Sequence, residues 1–154
     1  MVFKGVRKVT NLRTIEEAEK IIEKVFKGLG LNPEQAKIES NEVIGWAVKR
    51  GTAIVYIFIN ENKYINTLRI VSPLLYIPKK RQKEFLRKCL EYNYYFINCA
   101  LGLNEDILFL VEERPLTGLD PEEVEYIINN LSRIADRLDN ELANKFDAKM
   151  YELE

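Results

Sequence analysis

The sequence predicts an α+β domain: an antiparallel β-sheet with helices packed mainly on one face, in the order α-β-β-β-α-β-β-α. Two observations carry this reading. Residues 41–78 contain three strand-length runs joined by short turns. Helical periodicity is confined to the stretch before that block, the stretch after it, and the end of the chain. Strands that come in runs, with few helices between them, belong to an antiparallel α+β architecture and not to a doubly wound sheet.

The elements follow in order. Residues 1–13 mix charges with single apolar residues and read as a loose lead-in or an edge segment. Thr14 caps the first helix and Glu17, three residues on, closes a capping box. Ile15, Ala18, Ile21, Ile22, Val25 and Phe26 recur at helical spacing, and Gly28 and Gly30 supply the stop. Residues 32–40 form a polar approach to the sheet. The first strand, 43–49, places Ile44, Trp46 and Val48 on one face. The second, Ala53 to Ile59, is apolar on both faces, the composition of a central strand buried on both sides, or buried on one side and against a partner on the other. The third, 64–72, alternates Leu68 and Ile70 with Thr67 and Arg69. Residues 50–52 and 60–63 are the turns, and Pro73 and Pro78 end the ladder because proline lacks the N–H donor.

A second helix is predicted from about Lys79, with Leu86, Cys89, Leu90, Asn93, Phe96 and Ile97 facing inward, the Asn93 amide pinning a neighbouring loop backbone. A short strand at 101–103 pairs with Ile107 to Val111 through a turn at Asn104 to Asp106, and residues 112–118 form a loop. The last helix has the clearest start: Asp120 as cap, Pro121 in the first turn, and Glu122 and Glu123 complementing the dipole. Its apolar stripe runs from Val124 through Leu131 and Leu138 to Phe146.

The chain has 154 residues, 47% of them hydrophobic and 31% charged, which fits one globular domain spanning 1–154. A net charge of −1 gives no field that would draw in DNA or an anionic membrane. The apolar runs are strand-length, so no membrane span is expected. The N-terminus shows no signal-peptide core, which points to a cytoplasmic protein. The sequence has no histidine, which removes the commonest general base and every Ser-His or Cys-His arrangement. Cys89 and Cys99 read as buried, reduced thiols, and two cysteines without histidine make a poor zinc site. No cofactor and no metal are expected, and the chain is read as a non-enzyme.

The sequence offers three candidate sites. Carboxylates at Glu112, Glu113 and Asp120 would have to converge for acid–base or metal chemistry. The basic run from Lys79 to Lys88 would need further positive surface to bind nucleic acid. The third candidate is the outer face of the second helix, around Arg87, Lys88, Glu91, Tyr92 and Tyr95. With the stripe drawn as above, Tyr92 and Tyr95 point away from the sheet, and exposed aromatics on a soluble protein mark interfaces. A self-complementary patch of this kind fits a two-fold homodimer. The competing dimer surface is the open sheet face through Tyr56 and Phe58.

The element order, the segment Leu90-Glu91-Tyr92-Asn93 and the segment from Arg114 to Val124 (RPLTGLDPEEV) together resemble the YbjN-type family. That family has the fold of type III secretion chaperones. Its members often carry a second asparagine three residues before the one matched by Asn93; Leu90 stands there in this chain. The resemblance implies a small cytoplasmic domain, a homodimer, and a protein partner or extended client segment as ligand. It supplies no catalytic residues and no cofactor.

Overall fold

The structure is a computed structural model that describes residues 13–152. The expected lead-in lies outside the described residues except for Arg13.

Helix α1, Ile15–Gly28, begins as its sequence requires. The Thr14 hydroxyl accepts from the Glu17 N–H, and the Glu17 carboxylate accepts from the Thr14 N–H. A short helix, α2 (Pro33–Ala36), follows in the stretch read as a polar approach; the Asn32 side chain caps it and proline opens it. Strands β1 (Ile44–Arg50), β2 (Ala53–Asn60) and β3 (Thr67–Tyr76) form the predicted antiparallel meander. Helix α3 (Gln82–Tyr95), strands β4 (Ala100–Asn104) and β5 (Ile107–Pro115), and helix α4 (Pro121–Phe146) complete the chain. The sheet has the order β1-β2-β3-β5-β4, all pairs antiparallel.

One cluster of buried side chains lies between the sheet and its helices. Helix α4 crosses the sheet and packs on β1, β2, β3 and β5, with α1 beside it and α3 against β4. The α4 stripe is buried as the periodicity predicts, with Leu131, Leu138 and Leu142 fully enclosed. Its cap is in place, since the Asp120 carboxylate accepts from the Glu123 N–H at 2.9 Å. Asp120→Ala therefore lowers stability by about 0.5–2 kcal/mol in chemical denaturation. An unchanged midpoint would mean that the cap contributes nothing.

The β1–β2 turn is tied to α4. Thr52 donates through its N–H and its hydroxyl to Asp136, and its hydroxyl also lies 2.9 Å from Asp139. These bonds hold the Asp136 carboxyl below the usual carboxylate range. Gly51 sits at φ +61 in this turn, and a Cβ there would collide with the Asp136 carboxylate.

Four expectations are corrected. Strand β3 does not stop at Pro73. The proline falls in the gap between the last β2 pairing, at Val71, and a bridge from the C-terminal tail between Met150 and Leu75. A proline is tolerated where no ladder donor is required on that side, and the register shift between Pro73 and Leu75 absorbs it. Strand β5 runs through residues read as loop, because Glu112, Glu113 and Arg114 pair with Ile70, Arg69 and Leu68 of β3. Strand β2 is not buried on both faces: Ala53, Val55, Ile57 and Ile59 face the helices, while Tyr56 and Phe58 stack on each other on the half-open face. The register of α3 also differs, and it bears directly on the candidate surface.

Candidate protein-binding surface

Helix α3 starts at Gln82, three residues later than expected. Lys79 and Lys80 lie before it, and Arg81 at φ 59 is its N-cap residue. The Arg81 guanidinium is 5.1 Å from the Phe146 ring, donates to the Lys145 carbonyl and pairs with Glu84, which fixes the start of α3 to the end of α4. The inner face is Phe85, Cys89, Tyr92 and Phe96, spaced i, i+4, i+7 and i+11. Phe85 meets Phe146 edge-on at 5.3 Å, and Tyr92 stacks on Phe96 at 5.6 Å.

The predicted stripe is right at Cys89, Asn93 and Phe96 and wrong at Leu86, Leu90 and Ile97. Those three are on the outside: Leu90 is 69% exposed and Ile97 67%. Aromatic side chains bury more area than leucine, so Phe85, Tyr92 and Phe96 take the core and the leucines are turned out. The signal was present in the sequence, since residues 85, 89, 92 and 96 match a helical stripe as well as the set centred on Leu90.

Each predicted surface residue can now be placed. Tyr92 is turned inward and half-buried; its hydroxyl donates to Glu141 of α4. Burial, then the bond to Glu141, pushes its pKa up to about 12. It is thus not an exposed partner of Tyr95, which is itself 75% exposed and packs edge-on against Tyr94. Arg87 and Glu91 form an i, i+4 ion pair at 3.3 Å on the outer face. Lys88 lies 3.6 Å from Glu91 and 4.7 Å from the Tyr92 ring centroid. At 100° per residue, Leu86, Leu90 and Tyr94 form one flank of α3, next to Arg87 and Glu91. Lys88 and Tyr95 occupy the opposite flank, where Tyr95 and Ile97, just past the helix end, share a groove with Tyr126, Arg133 and Arg137 of α4.

The leucine flank borders the outer strand of the sheet. Asn93 holds both backbone polar groups of Leu101: its amide donates to the carbonyl at 3.1 Å, and its oxygen accepts the N–H at 2.7 Å. The buried amide expected to pin a neighbouring backbone does so, on strand β4. Further along β4, Leu103 is exposed. On the other side of the sheet, Arg69, Val71, Gly102, Leu103, Phe109 and Val111 line an open cleft of about 520 Å³.

The carboxylate candidates do not converge. Asp120 is the α4 cap. Glu113 accepts from Arg69 at 2.6 Å and Thr67 at 2.8 Å on the open side of the sheet. Glu112 lies on the helix side, at the end of the inward row Leu108, Leu110. Burial first, then the charge of Glu123, push its pKa up to about 7, against the opposing effect of Arg114. The folded chain thus holds this proton more tightly than the unfolded one. The resulting contribution to stability is complete below the ordinary glutamate range and is lost as pH rises toward 7. Glu112→Gln should therefore be more stable than the wild type at pH 8, with the difference shrinking toward pH 4.5, in urea denaturation at both values. Curves that differ equally at the two pH values would contradict this. Burial also pushes both thiols, Cys89 and Cys99, up to about 11, so they are poor nucleophiles.

The basic run is interleaved with acid: Arg81 pairs with Glu84, and Arg87 and Lys88 with Glu91. Among the described residues no three His, Cys, Asp or Glu side chains are grouped to hold a metal ion, and no helix is long and apolar enough to cross a membrane.

No family model matches the chain, and no curated protein matches it in sequence. Solved structures do match it in shape. ExsC, in its complex with ExsE, superimposes with a TM-score of 0.65 at 12% identity, over 85% of this chain and 97% of that one. The fold is that of the type III secretion chaperones. YbjN from E. coli shares it, with a TM-score of 0.57 at 12% identity over 86% of this chain and 95% of that one. So does the Yersinia pestis type III secretion chaperone SycH, solved with a fragment of YscM2, at 0.54 and 19% identity over 78% of this chain and 98% of its own. The chaperone-like α+β fold expected from the sequence is thus the observed one.

Proposed function

We propose that this protein is a non-enzymatic, chaperone-like protein-binding module that works in the cytoplasm as a two-fold homodimer and holds an extended segment of a partner protein. The observation that carries the reading is the uncovered apolar flank of α3. Leu86, Leu90 and Tyr94 are exposed on one flank of a helix whose inner face, at Phe85 and Cys89, is buried. Contiguous exposed apolar surface on a soluble domain marks an interaction site. The Arg87–Glu91 pair beside it gives the patch charges of both signs, which suits a surface that meets its own copy across a two-fold axis. The dimer contact then includes the outer face of α3, with Leu90 and Tyr94 near its centre and Arg87 and Glu91 toward its rim. The shared fold of ExsC and SycH, each solved with a protein partner, supports the partner-binding half of the reading.

The open sheet face, with its cleft between β3, β4 and β5, is the trough proposed for the client segment. An extended chain lies along such a face through main-chain and alternate side-chain contacts. The test is to cross-link the protein in its native host, identify the captured partner, and reconstitute the complex from purified components. Hydrogen exchange should then show protection of Val71, Phe109 and Val111 by one short segment of that partner. A reconstituted complex that leaves the whole sheet unprotected would overturn the placement, and a partner that is turned over chemically would overturn the non-enzymatic reading.

A further inference from the structure

We propose that the cleft where β5 ends beneath the first turn of α4 is a receptor for an alkyl ammonium or guanidinium group, with Glu112 as its anion. The cleft measures about 370 Å³, and Asn98, Glu112, Glu113, Arg114, Thr117 and Glu123 are among its lining; the Glu113 carboxylate is taken by Arg69 and Thr67. Glu112 is only 8% exposed, and its Oε2 is buried with no hydrogen-bond partner among the described residues. An orphaned acceptor of this kind is uncommon in a native fold and calls for an occupant.

The neighbouring cation does not supply one. Each nitrogen of Arg114 has another partner: Nε donates to the Pro115 carbonyl at 2.8 Å, Nη2 to the Thr117 carbonyl at 2.6 Å, and Nη1 pairs with Glu123. Once Glu123 has taken the charge of Arg114, an ionised Glu112 is an uncompensated anion inside the protein. Every other inward position on this part of β5, Leu108 and Leu110, is apolar, so folding alone would be served as well by a leucine here. A buried carboxylate without a partner takes up either a proton or a cation. The charged groups around the cleft are Glu123 from α4, Arg114 from its own strand and Glu113, itself paired with Arg69 of β3, with the Cys99 thiol between α3 and β4. The raised proton affinity of Glu112 places that exchange close to neutral pH.

The chemistry of the cleft selects the cation. A divalent metal wants six or more oxygen ligands, and one free carboxylate falls short of that. A guanidinium or ammonium on an alkyl stem needs a single carboxylate for its charge and apolar or carbonyl surface for the rest. Two sources carry this group: a lysine or arginine side chain on a partner, or a free alkyl amine or guanidine. The first rests on the partner-binding reading above; the second does not.

The test uses the full chain with 13C-labelled glutamate, followed by NMR at the Glu112 carboxyl carbon. n-Butylguanidinium chloride added at pH 8 should move this signal saturably. Binding should weaken about ten-fold at pH 6, because the proton competes for the same oxygen atoms. Tetramethylammonium chloride at matched ionic strength should leave the signal in place. The isosteric Glu112→Gln variant, which keeps the fold, should remove the saturable response seen at the neighbouring amides of Asn98 and Thr117. A linear response, an equal response in Glu112→Gln, or no dependence on pH would overturn the site. An N- and C-capped Gly-Arg-Gly peptide separates the sources. Saturation by the peptide supports a partner side chain. Saturation by butylguanidinium alone establishes the site for small cations and leaves the partner-binding reading to its own test.

Discussion

Leu131→Ala should lower stability by about 2–5 kcal/mol. Leu131 is fully buried on the stripe that α4 presents to the sheet, among Ile127, Ile128, Ile134, Ala135 and Leu138. Truncation removes the transfer free energy of its methyl groups and leaves a cavity. The sheet on one side and the helix backbone on the other are both rigid, so little of that cavity can close. Urea denaturation with an unchanged slope is the measurement. A loss below about 0.5 kcal/mol, the range of surface substitutions, would mean that α4 does not bury this face.

Phe85→Ala should cost still more, about 3–5 kcal/mol. The side chain is fully buried and packs edge-on against Phe146, which joins α3 to the far end of α4. The comparison with Leu90→Ala gives the prediction its force, because the two residues exchange roles between the predicted and the observed helix register. The Phe85→Ala loss should persist at every protein concentration. The Leu90→Ala loss should fade on dilution, since an interface residue stabilises only the assembled form. A large, concentration-independent loss at Leu90 with a small one at Phe85 would restore the register first read from the sequence.

Most of the fold was legible in the sequence, and the reasons are local. The capping box at Thr14 and Glu17, the Asp120-Pro121 start of α4, and the β-branched run at 53–59 each fix an element without help from the rest of the chain. The failures came where two readings were locally equivalent. Helix α3 has two stripes of similar quality, and only the shape of the core, with room for three aromatic rings, decides between them. The continuation of β5 through Glu112, Glu113 and Arg114 was hidden because charged residues read as loop until a cross-strand partner such as Arg69 is known. The same ambiguity hid the exposed leucines of α3: Leu86 and Leu90 fall in the predicted core stripe and stand on the outer face of the helix. That Asn93 pins a neighbouring backbone was legible, because a buried amide must find partners. Which backbone it pins was not, because that depends on the turn between α3 and β4.

The state of assembly tests the proposed function most directly. Sedimentation equilibrium of the wild-type chain at micromolar concentration should give the mass of two copies, and Leu86→Ser with Leu90→Ser should give one copy with an unchanged circular dichroism spectrum. A wild-type monomer, or a double variant that remains a dimer, would contradict the claim that the outer flank of α3 is where two copies meet.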